Sequence, residues 1–304
     1  MTSKNVLVWM PQNFNINCGG VNVQFELCKV LKELGVNVKL YAPVKIKNPI
    51  FNDYYCNNEF DLNNTVVIYG ETIDGNPLNA PHVVRWILAP IGIYFNLEKT
   101  YYWGKNDLVY YFNSEEKIKN SPEKLGNIYK LLNIMYISSY IKNNNRSLRT
   151  GVCYTVRKGM LYHKNLKMTH PSNSIELPTN GELLDYVNIF NTYEYFYSYD
   201  PCTFYSAIAA MCGCISIVVK VDGLNKKDWL NTLAPVEYLK ETREQLYGIA
   251  YGEEEIEFAK NTIHLVEEQW ININKYFRKK YVESFINDIN NFENQLNTVE
   301  NNFY

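Results

Sequence analysis

Residues 193–219, YEYFYSYDPCTFYSAIAAMCGCISIVV, limit the fold more than any other stretch of the chain. They read as a buried strand, a short polar corner, a helix of small residues and a second buried strand. In open α/β sheets, ligands bind beyond the carboxyl ends of strands, where loops turn into helices. Chemistry is therefore expected at Ser198-Tyr199-Asp200-Pro201-Cys202-Thr203. The fixed φ of Pro201 suits a first helical turn, and Asp200 or Ser198 can cap it. On this reading the backbone N–H groups of Cys202, Thr203 and Phe204 face an anion, helped by the positive end of the helix. A capped helix in any parallel sheet has the same pattern, so the rest of the chain must decide.

The remaining sequence repeats the strand–helix theme. Residues 5–10 read as a first strand, followed by an irregular loop over 11–20. Val23, Leu27, Val30, Leu31 and Leu34 recur at helical spacing over 21–34. Gly35 stops that helix, and 36–41 alternate as a second strand. The three elements form a βαβ unit with a right-handed crossover. The pattern is weak from 43 to 64. Residues 66–69, 82–88 and 107–112 are continuous apolar runs, as parallel strands buried on both faces require. The loops after them carry Gly70-Glu71, Ala89-Pro90-Ile91-Gly92 and Asn113-Ser114. Beyond the apolar run 127–137 the chain turns polar and asparagine-rich, which places a domain boundary near Asn145. A strand over 151–156 then ends at Arg157-Lys158-Gly159. A second strand over 174–177 is closed by Pro178, and a helix covers 183–190. A short strand and turn over 248–252 leads to long amphipathic helices over 253–270 and 275–292.

A chain of 304 residues exceeds what one core usually serves, so two domains are expected. The net charge of −2 gives no footprint for broad nucleic-acid binding or a polybasic membrane patch. No signal peptide or membrane-length apolar run is visible. Seven cysteines at irregular spacing, several within apolar runs, fit reduced thiols and a cytoplasmic location. Cys212-Gly213-Cys214 has no second Cys/His pair, and His163 and His170 have no partner at metal-ligand spacing. No Asp-x-Asp, Walker-type loop or G-x-G-x-x-G fingerprint is present, which demotes phosphate-loop enzymes and NAD-dependent dehydrogenases.

Two α/β halves, the Gly19-Gly20 pair after strand one and the corner near residue 200 resemble the plan of GT-B glycosyltransferases. The likeness is to those related to retaining family 4. Pro11 through Gly19-Gly20, Glu26-Leu27 and the run from Leu31 to Val38 is similar to that family's opening. Registered on Cys212-Gly213, the family's Glu-x7-Glu motif falls on Asp200 and Ile208. The first match is conservative and the second is a departure, since isoleucine cannot hold a ribose hydroxyl. The resemblance implies an α/β fold of two Rossmann-like domains facing each other across a cleft, with C-terminal helices. Residues 1–145 would form the acceptor side and 146–270 the nucleotide-sugar donor side. Residues 271–304 would cross back to the first domain. No histidine stands clearly at the family's usual catalytic position, and His82 reads as an ordinary strand-entry residue.

The implied activity moves a sugar from a nucleotide-sugar donor to a hydroxyl of a glycan or glycolipid, with retention of configuration. Such a site must hold a diphosphate, support oxocarbenium-like charge and align an acceptor hydroxyl. Cations and helix N-termini can meet the diphosphate without a metal, and no metal or other cofactor is expected here. Asp200 is the catalytic candidate. Gly19, Gly20, Arg157, Lys158, Tyr199, Cys202, Thr203 and Phe204 are the donor-binding candidates, arginine gripping phosphate bidentately and lysine as a point charge. Arg85 and Trp86 are acceptor candidates. No nucleic-acid partner is expected. Two alternatives share the plan: a nucleotide-sugar epimerase, which needs no acceptor, and a non-catalytic relative, which the loss at Ile208 would explain.

Overall fold

The computed structural model describes residues 4–10, 18–42, 54–56, 61–89, 91, 103–113, 129–146 and 148–292. Most of the loop over 11–20, much of the weak stretch 43–64, and Pro90, Gly92 and Ser114 lie outside them. The chain divides into two compact units, Met1–Tyr136 with Lys275–Tyr304, and Ile137–Asn274.

In the first unit, β1 (Asn5–Trp9) is followed by α1 (Gly19–Glu33) and β2 (Val38–Tyr41). Strands β3 (Thr65–Gly70), β4 (His82–Ile87), β5 (Leu108–Tyr111) and β6 (Tyr129–Leu131) complete its sheet. Among the described residues the order is β2-β1-β3-β4-β5-β6, with every pairing parallel. Every residue of β3 is buried, so its run TVVIYG carries no in–out alternation. Leu7, Trp9, Val67, Tyr69 and Val83 pack on one another, and α1 buries Phe25, Leu27 and Leu31. The apolar run 127–137 contributes β6, an edge strand.

The second unit holds β7 (Val152–Thr155), β8 (Ile175–Glu176), α2 (Leu183–Thr192), β9 (Tyr195–Ser198) and α3 (Tyr205–Met211). After these come β10 (Ile215–Val218), α4 (Lys226–Asn231), α5 (Val236–Thr242), β11 (Ile249–Tyr251) and α6 (Ile256–Thr262). Its sheet is again parallel throughout, in the order β11-β10-β9-β7-β8. Gly213 ends α3 at φ +84°, the left-handed state glycine tolerates best. Its N–H donates to the Ala210 carbonyl and the Cys214 N–H to Ala209, both at 2.9 Å, a Schellman closure. That tight stop lets the chain enter β10 one residue after Cys214.

The unit boundary falls earlier than the polar run near Asn145 implies. Residues 142–146 are tied to the second unit. The Asn144 N–H donates to Asn191 Oδ1 (2.8 Å), Asn191 Nδ2 to the Lys142 carbonyl (3.0 Å), and Arg149 Nη2 to Asn143 Oδ1 (2.7 Å). The second division lies between Asn274 and Lys275, within α7 (Val266–Phe277), rather than at residue 271. A π-helical turn, Arg278–Val282, joins α7 to α8 (Glu283–Asn290). Residues 275–292 belong to the first unit. Phe285, Ile289 and Phe292 are buried, and Asp288 accepts hydrogen bonds from Tyr110 Oη (2.7 Å) and Lys130 Nζ (2.8 Å).

Candidate active site

In the second unit, β7 leads to β8 on one side, whereas β9 lies on its other side. The order of winding therefore reverses between β7 and β9. A crevice opens outside the carboxyl ends of two parallel strands at such a reversal. Thr155 of β7 stands level with Ser198 of β9, so the residues that follow each strand share this crevice.

After β7 the chain enters a 3-10 turn, Arg157–Leu161. Arg157 has φ +40°, a left-handed backbone that costs a residue with a Cβ on the order of 1 to 3 kcal/mol. Its guanidinium lies 4.7 Å over the Tyr205 ring, and both Arg157 and Lys158 are exposed. Gly159 is buried against the other side of the crevice. A Cβ there would lie 2.7 Å from the Tyr199 carbonyl oxygen, a distance real Cβ atoms do not show.

After β9 the corner differs from the sequence expectation. Helix α3 begins at Tyr205, and its N-cap, Phe204, gives no side-chain cap. Pro201 lies ahead of the helix, where its carbonyl accepts the Trp229 Nε1 hydrogen (2.7 Å). Asp200 closes the corner upon itself, its Oδ1 accepting the Cys202 N–H at 3.1 Å. The Thr203 N–H reaches the Asp200 carbonyl at 3.5 Å, and Thr203 Oγ1 accepts the Tyr205 N–H at 3.3 Å. An Asx turn has thus replaced the capped first helical turn, because Asp and Ser side chains bond nearby backbone readily. The Cys202 amide is committed within the protein and does not face an anion. Cys202 and Phe204 are exposed, and Thr203 is half-buried.

Asp200 is only 5% exposed. Burial pushes its carboxyl above the usual range, while the Cys202 N–H and the charges of Lys158 and Arg157 pull it back. The two cations and the carboxylate therefore act on one another within a single unit. Tyr199 itself is wholly buried, and its hydroxyl accepts the Thr169 N–H at 2.7 Å. Its ring is a structural anchor, which corrects the expectation that it meets the donor. His163, 36 residues away in sequence, lies 3.0 Å from the Tyr199 carbonyl through Nε2.

The first unit shows the same reversal of winding, between β1 and β3. Gly19 and Gly20 open α1 after β1, and no side chain caps that helix. Glu71 follows β3, 7% exposed, its Oε2 accepting the Leu88 N–H at 3.0 Å. The sequence singled out no role for it. Arg85 and Trp86 are corrected: both are 0% exposed. Arg85 pairs with Asp107 at 2.7 Å between the Tyr69 and Trp103 rings, and Trp86 Nε1 donates to the Leu132 carbonyl at 3.2 Å. They lie in β4, buried on both faces, so neither presents surface to an acceptor. His82 opens β4, with Lys4 Nζ 2.8 Å from its Nε2.

Beyond the carboxyl ends of β10 and β11, a hollow of about 190 Å³ is lined by Lys220, Lys226, Tyr251, Glu254 and Glu255, among others. Lys226 pairs with Glu255 at 2.6 Å, and Lys220 pairs with Glu254. Among the described residues, no cluster of three His, Cys, Asp or Glu side chains is arranged to hold a metal ion. No described helix is long and apolar enough to cross a membrane.

No protein-family model matches the sequence, and no curated protein matches it. Solved structures are similar to it at low identity. Phage T4 β-glucosyltransferase bound to UDP-glucose matches at 10% identity and a TM-score of 0.39, over 97% of this chain and 99% of that one. The same phage enzyme with UDP and Mn2+ matches at 11% identity and 0.45, over 94% and 99%. An α-glucosyltransferase bound to UDP and a 13-mer DNA containing an HMU base matches at 11% identity and 0.43, over 98% and 100%.

Proposed function

We propose that the chain is a glycosyltransferase that moves a sugar from a nucleotide-sugar donor to a hydroxyl of a glycan or glycolipid acceptor. The observation that carries this reading is the meeting of Arg157, Lys158 and the Asp200 corner at the β7/β9 crevice. Two exposed cations at the mouth of a parallel-sheet crevice suit a diphosphate, which arginine grips in a fork and lysine holds as a point charge. They neutralise the charge that develops on the leaving diphosphate, the role a metal fills in other transferases. The reading therefore keeps the reaction metal-independent.

Asp200 supplies a carboxylate beside those cations. In the ionised state it supports positive charge on the donor sugar as the glycosidic bond lengthens. Retention of configuration is what the family 4 resemblance implies. Thr203, Cys202 and Phe204 give the corner its donor-facing surface. Ile208 is buried in α3, so a ribose must find its partner elsewhere. Glu254 and Glu255 at the neighbouring hollow have the chemistry to take its diol.

The test is a thermal-shift panel of nucleotide sugars, UDP-glucose included, followed by turnover with and without acceptors. A ligand that binds only the folded state raises the melting point with occupancy. One donor standing out, with turnover dependent on an added acceptor, supports the reading. A flat panel opposes it, and consumption of the donor without acceptor favours the epimerase.

A further inference from the structure

We infer that His163 is a positioning residue for Asp200, acting through the Tyr199 carbonyl. The inference rests on the proposed role of Asp200, but its physical content stands on the crevice itself. A carbonyl oxygen only accepts, so the 3.0 Å contact from Nε2 fixes the tautomer: the Nε2 nitrogen carries the proton and donates it to Tyr199. The peptide that receives this bond is the one joining Tyr199 to Asp200, so its plane sets where the carboxylate begins.

The backbone of His163 is tied to the turn that carries the cations. The His163 backbone N–H donates to the Gly159 carbonyl at 3.0 Å, and the Gly159 N–H donates in turn to the Val156 carbonyl at 2.6 Å. Arg157 and Lys158 sit inside that turn. Gly159 presses directly on Tyr199, and the Tyr199 N–H is bonded to Thr155 at 3.0 Å. His163 thus joins the two sides, its backbone held by the turn that carries the two cations and its imidazole bonded to the peptide that carries the carboxylate. The remaining Tyr199 groups are held by the sheet and by Thr169, which leaves the carbonyl as the handle that His163 controls. The ring also meets Tyr199 edge to face, with centroids 6.1 Å apart, so shape and hydrogen bond are separable by substitution.

His163→Phe keeps the ring and removes the donor. His163→Gln places an amide N–H near the Nε2 position and keeps the donor. Two measurements on the full chain distinguish the outcomes. The first is hydrogen exchange at the Cys202 amide, which is bonded to Asp200 Oδ1 and reports the corner without any substrate. The second is steady-state transfer with the donor selected by the thermal-shift panel. His163→Phe is expected to speed Cys202 exchange by about tenfold or more. It should also lower kcat by about tenfold to a hundredfold with little change in donor KM, while His163→Gln stays near wild type in both. Unchanged Cys202 exchange in His163→Phe, or equal loss in Phe and Gln variants, would overturn the inference. Faster exchange in Phe alone, in a wild-type protein that turns over no donor, would uphold the positioning and sink the proposed function instead.

Discussion

At the scale of single residues, the account turns on a carboxylate held out of water beside two cations. Burial raises the Asp200 carboxyl above its usual range. The unfolded state therefore releases that proton at lower pH than the folded state, and folding loses stability as pH rises through the raised value. Asp200→Asn removes this penalty and keeps an acceptor for the Cys202 N–H. Its melting point should match wild type at acid pH and equal or exceed it near neutrality, while transfer is abolished. Full turnover in that variant would remove Asp200 from the chemistry. The acid limb of the wild-type kcat/KM profile should lie above the ordinary aspartate range. Lys158 and Arg157 both lower the Asp200 value, so Lys158→Ala should move the limb to higher pH. Arg85 is the opposite case, a charge with only a structural partner. Arg85→Ala strands Asp107 in the core and should cost about 3 to 5 kcal/mol by denaturant unfolding, at the scale of stability rather than turnover.

At the scale of elements, strands were legible and the loops that make the site were not. Runs such as Val66-Val67-Ile68 and Ile215-Ser216-Ile217-Val218 read correctly as buried parallel strands, because a strand covered on both faces leaves no other pattern. The start of α3 was misjudged. Pro201 and Asp200 have strong local preferences for a helix start, and they fit an Asx turn equally well. Trp229, 28 residues on, holds the Pro201 carbonyl and decides between them. Strand order was not legible at all, since β7 chooses β9 as its neighbour through contacts distant in sequence, and the crevice follows from that choice. For the same reason Arg85 and Trp86, acceptor candidates from the sequence, proved to be core. Gly159 offered one faint signal, a glycine right after Arg157-Lys158. Gly159→Ala forces a Cβ toward the Tyr199 carbonyl and should cost about 1 to 3 kcal/mol, with donor binding weakened in the protein that still folds.

At the scale of the whole molecule, two parallel sheets each wind outward from a reversal point, and residues 275–292 return as helix to the unit of the first. The length of the chain implied two domains, and the polar run near Asn145 marked the expected seam. Side-chain hydrogen bonds from Asn191 and Arg149 draw that run into the second unit, a preference no composition shift reveals. Phe285, Ile289 and Phe292 are buried in the first unit, so ending the chain at Asn274 should unfold that unit and leave its apolar core open to dye binding. Asp288→Ala is the milder test. It leaves the buried Tyr110 hydroxyl without its carboxylate and should cost about 1 to 3 kcal/mol.

The claim beneath all of this is that the β7/β9 crevice holds a diphosphate. Calorimetric titration of a nucleoside diphosphate into wild type, Arg157→Ala and Lys158→Ala tests it most directly. Binding to wild type that weakens about tenfold or more in each variant, with melting points unchanged, is the predicted result. Equal affinity in all three proteins, or no binding to any, would contradict it.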